Sequence, residues 1–412
     1  MPQNPENNSL LYYLCLDKVW EAFYAYKTSL ICQKSFAKEL RNYIDSKAYL
    51  PVCDKIIKGE GLSIPKKSVI SKMSTKKKRV VYTYPYEENM VLKLLTWLVL
   101  REYDDRFSDG LFSFRPGKTA KLAVNRLFSA ANVKNMHAYK LDVSNYFNSI
   151  PVEKMIEKLE KMVEDRMLLD FFKNILTQPY VLENGHLKEE QKGIMAGTPI
   201  ASFFANIYLD ELDKYYAGLE NTGNHKILYS RYSDDIIILC EDRHALEKEA
   251  ENIKQYLKDN ALSVNPDKEE YFTPEEGFVF LGFSYEKGVV DIAPATVTKL
   301  KGKMRRKMRA LMRWGARNEV DPERSAKAFI RVFNRKLLES PDDNELSWAY
   351  WFFPVINTTK SLKEIDHYAQ QCIRTLMTGK HTKARFNARY EEMKKLGYRS
   401  LVHEYYKDGC KS

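Results

Sequence analysis

The chain reads as an α+β protein. Strand-like runs fall near residues 140, 230, 265 and 280, and helical segments separate them. Helical periodicity also dominates both ends of the chain, with basic segments on either side of the strand-rich middle.

Up to about Asp54 the apolar positions Leu11, Leu14, Val19, Trp20 and Phe23 keep helical spacing. The polar, basic segment IPKKSVISKMSTKKKRVVYTYP follows; Arg79–Tyr84 alternates like a strand and stops at Pro85. Residues 86–105 read as helix, and FSDGLFSFRPGKTAKLAVNRL is a Gly/Pro turn leading into another. HAYKLDVSNYFNSI is a strand ending near Asp142, and residues 151–178 return to helix. PYVLENGHLKEEQKGI predicts a hairpin with Asn184-Gly185 at its tip. Gly193–Pro199 is a loop, Ile200–Tyr216 a helix and Leu246–Asn260 an amphipathic helix. LSVNPDKEEYFTPEEGFVFLGFSYEKGVVDIA is rich in strands, and helix resumes from Thr296.

The 412 residues include 66 Lys+Arg against 55 Asp+Glu, a net charge of +11. Such an excess favours a polyanionic partner, nucleic acid or acidic membrane. The most hydrophobic run, Leu92–Leu100, is too short to span a bilayer, and the N-terminus lacks signal-peptide regions. Six scattered cysteines without a C-x-x-C pair argue against a structural zinc site and fit a reducing compartment. The expectation is a soluble, cytoplasmic protein without membrane contact.

The stretch ILYSRYSDDIIIL (Ile227–Leu239) sets Asp234 and Asp235 between two apolar, β-prone runs. Acidic pairs are common in solvent turns, yet a solvent turn rarely needs two apolar walls. Read as a hairpin, the stretch lifts both carboxylates to a sheet rim. Asp142 ends a second strand; if the two strands are neighbours, three carboxylates converge. They would repel and stay partly protonated unless divalent cations bind them. Hard oxygen ligands favour Mg²⁺, and two such ions roughly 3.5–4 Å apart suit in-line phosphoryl transfer.

These residues also resemble a known family. YSDD (Tyr232–Asp235) matches the Tyr-x-Asp-Asp motif of reverse transcriptases, and KLDVSNYFNSI (Lys140–Ile150) looks like their first catalytic motif. GTPIASFFANIYLDELD is similar to their loop-helix motif, with Gly197, Ser202 and Asn206 in step. LSVNPDKEE and FVFLGFSY look like the later Lys-bearing and Phe-Leu-Gly motifs, and FSFRPGKTA resembles a fingers motif of group II intron enzymes. The motifs keep their order over about residues 70–285.

The resemblance implies a right-hand polymerase fold with an antiparallel palm sheet. Its parts would be an N-terminal helical extension (1–60), fingers (61–135 and 151–193), palm (136–150 and 194–290), and a helical thumb with the C-terminal region (291–412). Asp142, Asp234, Asp235 and the Val143 carbonyl would hold two Mg²⁺, with Mn²⁺ as substitute. Phe147, five residues after Asp142, would close against the sugar and favour dNTPs. Lys72, Arg79, Arg115 and Lys118 would clamp the triphosphate, with Gly197 also at the nucleotide. Lys268 would protonate the leaving pyrophosphate. Ser202 and Asn206 would meet nucleic acid. So would Lys303, Arg305, Arg306 and Arg309 of KLKGKMRRKMRALMRW, whose Met and Leu positions form an apolar stripe opposite a basic face.

Two letters depart from the family pattern. Ala196 replaces the frequent Gln before the loop-helix glycine, and Asn148 replaces the usual Asp after the aromatic pair. The C-terminal region looks like that of stand-alone bacterial "unknown group" reverse transcriptases, many of them antiphage defence enzymes. By that resemblance the chain would copy an associated non-coding RNA into DNA from a primer. Alternatives are a retron-type enzyme, a non-catalytic RNA-binding scaffold, and untemplated or protein-primed synthesis, the last motivated by Ala196 and the tail tyrosines Tyr398, Tyr405 and Tyr406. Homo-oligomerisation is left open.

Overall fold

Three sheets form among the described residues of the computed structural model, which are 9–30, 32–71, 78–222, 227–339, 348–379 and 388–409. The first has the order β2-β1-β4-β5, from β1 (Lys66–Ser71), β2 (Lys78–Thr83), β4 (Tyr180–Glu183) and β5 (His186–Glu189). Asn184 (φ 52°) and Gly185 (φ 86°) both take positive φ, as a type I′ turn requires, so the predicted β4–β5 hairpin forms. Strand β1 was not expected. It pairs antiparallel with β2 and parallel with the distant β4.

The second sheet has the order β6-β7-β3-β8, antiparallel throughout. Its strands are β3 (His137–Asp142), β6 (Ile227–Tyr232), β7 (Asp235–Cys240) and β8 (Glu270–Phe272). Tyr139, Leu141, Ile236, Ile238 and Leu239 are fully or almost fully buried. That burial is what makes these runs continuous and apolar. The expected helix over 151–178 is two helices, Val152–Met162 and Arg166–Thr177. The Asp165 side chain accepts from Leu168 N–H and starts the second.

The described chain divides into two compact units, one of Met1–Leu30 and Ser35–Pro274, the other of Ile31–Lys34 and Glu275–Ser412. The division falls inside the stretch expected as palm. The third sheet, β9 (Phe278–Phe280), β10 (Phe283–Glu286) and β11 (Val289–Ile292), belongs to the second unit. In that unit Val297, Met304, Met308 and Leu311 bury one stripe of the helix Pro294–Arg317, while Lys303, Arg305, Arg306 and Arg309 stay exposed. Of the tail tyrosines, Tyr398 is buried with its hydroxyl on Asp366 (2.8 Å), Tyr405 donates to the Ile356 carbonyl (2.8 Å), and Tyr406 is exposed. Among the described residues no helix is long and apolar enough to cross a membrane.

Candidate active site

Register brings the carboxylates together. Asp142 lies opposite Asp235 across β3 and β7, and Val143 N–H donates to the Asp234 carbonyl (3.1 Å). One oxygen each from Asp142, Asp234 and Asp235 lies within 4.8 Å of the others. A two-residue turn, Ser233-Asp234, joins β6 to β7. Ser233 has φ 61° and Asp234 does not share the positive sign, the φ pattern of a type II′ turn. Glycine would be favoured at that first position, so the tip is held by its surroundings.

Those surroundings are a buried ion pair. The Arg231 side chain is fully buried and bonds both oxygens of the equally buried Asp213. It also donates to the carbonyls of Ser233 (3.3 Å) and Asn206 (3.0 Å). Tyr229 O–H donates to Asp213 as well (2.7 Å). The Gly110–Phe112 segment runs along the open edge of β6. Arg231 N–H donates to Gly110, and Phe112 N–H to the Arg231 carbonyl. Arg231 and Asp213 both lie inside stretches read from the sequence, but neither is assigned a role there; the one signal is an arginine on a β-prone strand.

Electrostatics follow from crowding. Burial, then repulsion from Asp142, raises the Asp234 pKa. Burial, then Asp234 and Asp142, pushes Asp235 up to about 6. Lys268 pairs with Asp142. Burial opposes its charge, but that bond and the three carboxylates outweigh it and hold its pKa above the ordinary range. Asn265, also unforeseen, grips Asp142 through its backbone N–H (to the carbonyl, 2.8 Å) and side-chain amide (3.2 Å). Three converging carboxylates with one ammonium counter-charge are a donor set that fits divalent cations.

The other expected residues separate into two groups. Arg79 is exposed on β2, close enough for its charge to act on Asp234. Phe147 is half-buried, edge-on to Tyr146 (centroids 5.6 Å apart), and its carbonyl accepts from Ile194 N–H (2.9 Å). Gly197 has φ 101°, and a Cβ there would lie 3.1 Å from both Val81 Cβ and the Tyr82 carbonyl, so glycine lets the loop approach β2. Ser202 donates to the Pro199 carbonyl (2.9 Å).

Two expectations, for Arg115 and Asn206, need correction, while Lys118 forms an ion pair with an exposed partner. Arg115 is buried and spends its guanidinium on Asp104 (2.7 Å) and the carbonyls of Ser108, Leu111 and Asp104, so it holds a loop instead of a triphosphate. The partner of Lys118 is Asp109 (3.0 Å). Asn206 is fully buried and exchanges two hydrogen bonds with Ser113, out of reach of nucleic acid. Lys72 lies outside the described residues.

The two family departures meet each other. The Asn148 side-chain oxygen accepts from Ala196 N–H (3.0 Å), and its amide donates to the Val80 carbonyl (3.3 Å). An Asp could accept the first bond but could not donate the second. Nearby Lys192 is only 2% exposed, and burial lowers its pKa to about 8. The unfolded chain holds that proton up to the ordinary value near 10.4, so folding becomes more favourable as pH rises from about 8 towards 10. Lys192→Met is therefore expected to raise stability at pH 7 by about 2–3 kcal/mol and to flatten that rise. Thermal melting across pH 7–10 measures both, and a wild-type profile unchanged by the substitution contradicts the expectation.

The family model described as "Reverse transcriptase (RNA-dependent DNA polymerase)" matches residues 64–285, more than half of the chain. The COX1/OXI3 intron 2 protein of Saccharomyces cerevisiae is 25% identical over 248 residues, 48% of this chain and 29% of that protein. Retron Ec83 reverse transcriptase of Escherichia coli is 28% identical over 123 residues, 30% of this chain and 38% of that one. The chain thus spans well under half the length of these relatives. A solved telomerase from Candida albicans, in complex with a telomeric RNA fragment, is 13% identical with a TM-score of 0.47, covering 82% of this chain and 64% of that one. The family match spans both carboxylate-bearing strands and the turn between β6 and β7, and on it this chain belongs to the reverse transcriptase family.

Proposed function

We propose that the chain is an RNA-directed DNA polymerase that extends a primer 3′-hydroxyl with dNTPs by two-metal phosphoryl transfer. The observation that carries this reading is the Asp142, Asp234 and Asp235 cluster at the rim of the β6-β7-β3-β8 sheet. With the Val143 carbonyl, these residues would hold two Mg²⁺, or Mn²⁺ in their place. When bound, the ions supply activation of the attacking hydroxyl and neutralisation of the leaving pyrophosphate.

The chain's own residues do the rest. Arg79 offers exposed positive charge beside Asp234 for the triphosphate. Lys268 carries a proton at Asp142 and stands as donor to pyrophosphate. The loop at Gly197 comes close to β2 and shapes the nucleotide's floor. The exposed cations Lys303, Arg305, Arg306 and Arg309 grip a duplex backbone without reading sequence. Phe147 excludes a 2′-hydroxyl. Phe147→Ala is expected to raise rNTP use relative to dNTP roughly tenfold or more, measured as the ratio of single-nucleotide incorporation efficiencies; an unchanged ratio removes Phe147 from that role.

The decisive experiment is extension of a DNA primer on an RNA template with Mg²⁺ and dNTPs; no incorporation overturns the reading. The C-terminal resemblance to stand-alone bacterial enzymes supports a cytoplasmic antiphage role in which a bound non-coding RNA is copied. Sequencing the nucleic acid that co-purifies with the protein tests this, and random host RNA argues against it.

A further inference from the structure

Phe114 is an anomaly. It is a bulky residue at φ 59°, and it is 41% exposed. Its neighbours explain how the strain is sustained. Ser113 is fully buried and tied to Asn206, and Arg115 is buried and tied to Asp104, Ser108 and Leu111. With both flanking side chains anchored inward, the ring of Phe114 is driven outward. Packing does not account for an outlier whose side chain ends in solvent, and such outliers cluster at functional sites.

The residue borders a recess of about 320 Å³. Tyr26, Lys27, Lys93, Trp97 and Arg101 line it too, and no acidic residue does. The Arg101 guanidinium lies over Tyr26 (4.4 Å) and Trp97 (4.5 Å). Neither Lys93 nor Arg101 forms an ion pair among the described residues, and burial lowers the Lys93 pKa. Lys93 and Arg101, set beside the exposed Phe114 and the half-buried Tyr26 and Trp97, suit a phosphate joined to a planar base. The volume suits one small ligand and no duplex.

We propose that this recess, between the helices Asp17–Ser29 and Tyr86–Glu102 and the 112–116 turn, seats one unpaired nucleotide of a single-stranded nucleic acid. The base stacks on Phe114, and the backbone phosphate lies against Arg101 and Lys93. The inference rests on the reading that the chain handles nucleic acid, and it adds a contact formed by residues outside the carboxylate site.

The test is anisotropy of a short labelled single-stranded RNA bound to the full chain in EDTA without dNTPs. Its outcome is thereby separate from whether the carboxylates polymerise. Phe114→Gly removes the ring and suits the positive φ, so the fold should melt no lower than wild type. Affinity should fall roughly fivefold or more, and Phe114→Trp should retain it. Arg101→Gln should reduce the slope of log affinity against log salt by about 0.7. Loss on RNA alone, or on RNA and single-stranded DNA together, supports the site and tells whether the sugar is read. Undiminished single-strand affinity in a folded Phe114→Gly protein, or an equal loss in Phe114→Trp, overturns it.

Discussion

Asp234→Asn is expected to lower primer extension on the order of 10³-fold while raising the melting temperature of the metal-free protein. The two effects have one cause. Asp142, Asp234 and Asp235 are crowded into a partly buried rim, and burial and mutual repulsion raise the Asp234 and Asp235 pKa values. Removing one charge relieves the metal-free fold and deprives the ions of a ligand. Melting with and without Mg²⁺ separates these consequences: wild type should gain more from the ion than the variant does. An unaltered extension rate, or a lower metal-free melting temperature, contradicts the expectation.

Arg231→Met is expected to cost about 3–5 kcal/mol, because it strands the fully buried Asp213 carboxylate without its counter-charge. Replacing both partners, Arg231→Met with Asp213→Leu, should recover much of that stability. Activity should not recover with it. The guanidinium is also a donor to the Ser233 carbonyl, and Ser233 holds positive φ at the tip that carries Asp234. Denaturant unfolding and primer extension on the same three proteins provide the comparison. A single variant as stable as wild type, or a double variant with full activity, contradicts this account.

The carboxylates were legible because their chemistry demands one residue type at the end of each of two buried strands. Strand periodicity and the Asn184-Gly185 turn were legible for the same local reason. Residues that depend on distant partners were not. Arg115, Lys118 and Asn206 look like ligand-binding letters, and their partners Asp104, Asp109 and Ser113 belong to the protein itself. A cation's identity does not say whether its counter-charge is in the protein or in a substrate. Arg231 posed the reverse problem, an arginine whose importance lies in Asp213, 18 positions away. Strand β1 was missed because its pairing with β4 joins Lys66 to Leu182, beyond the reach of any local pattern.

Lys268 makes the site something other than an empty acidic bowl. Its ammonium is a tethered counter-ion, already resting on Asp142. On the proposed two-metal reading, a divalent ion would have to displace this resident cation from Asp142 before it could bind there. Half-saturation would then shift to higher ion concentration than for the same carboxylates without the ammonium, and Lys268→Met would lower it.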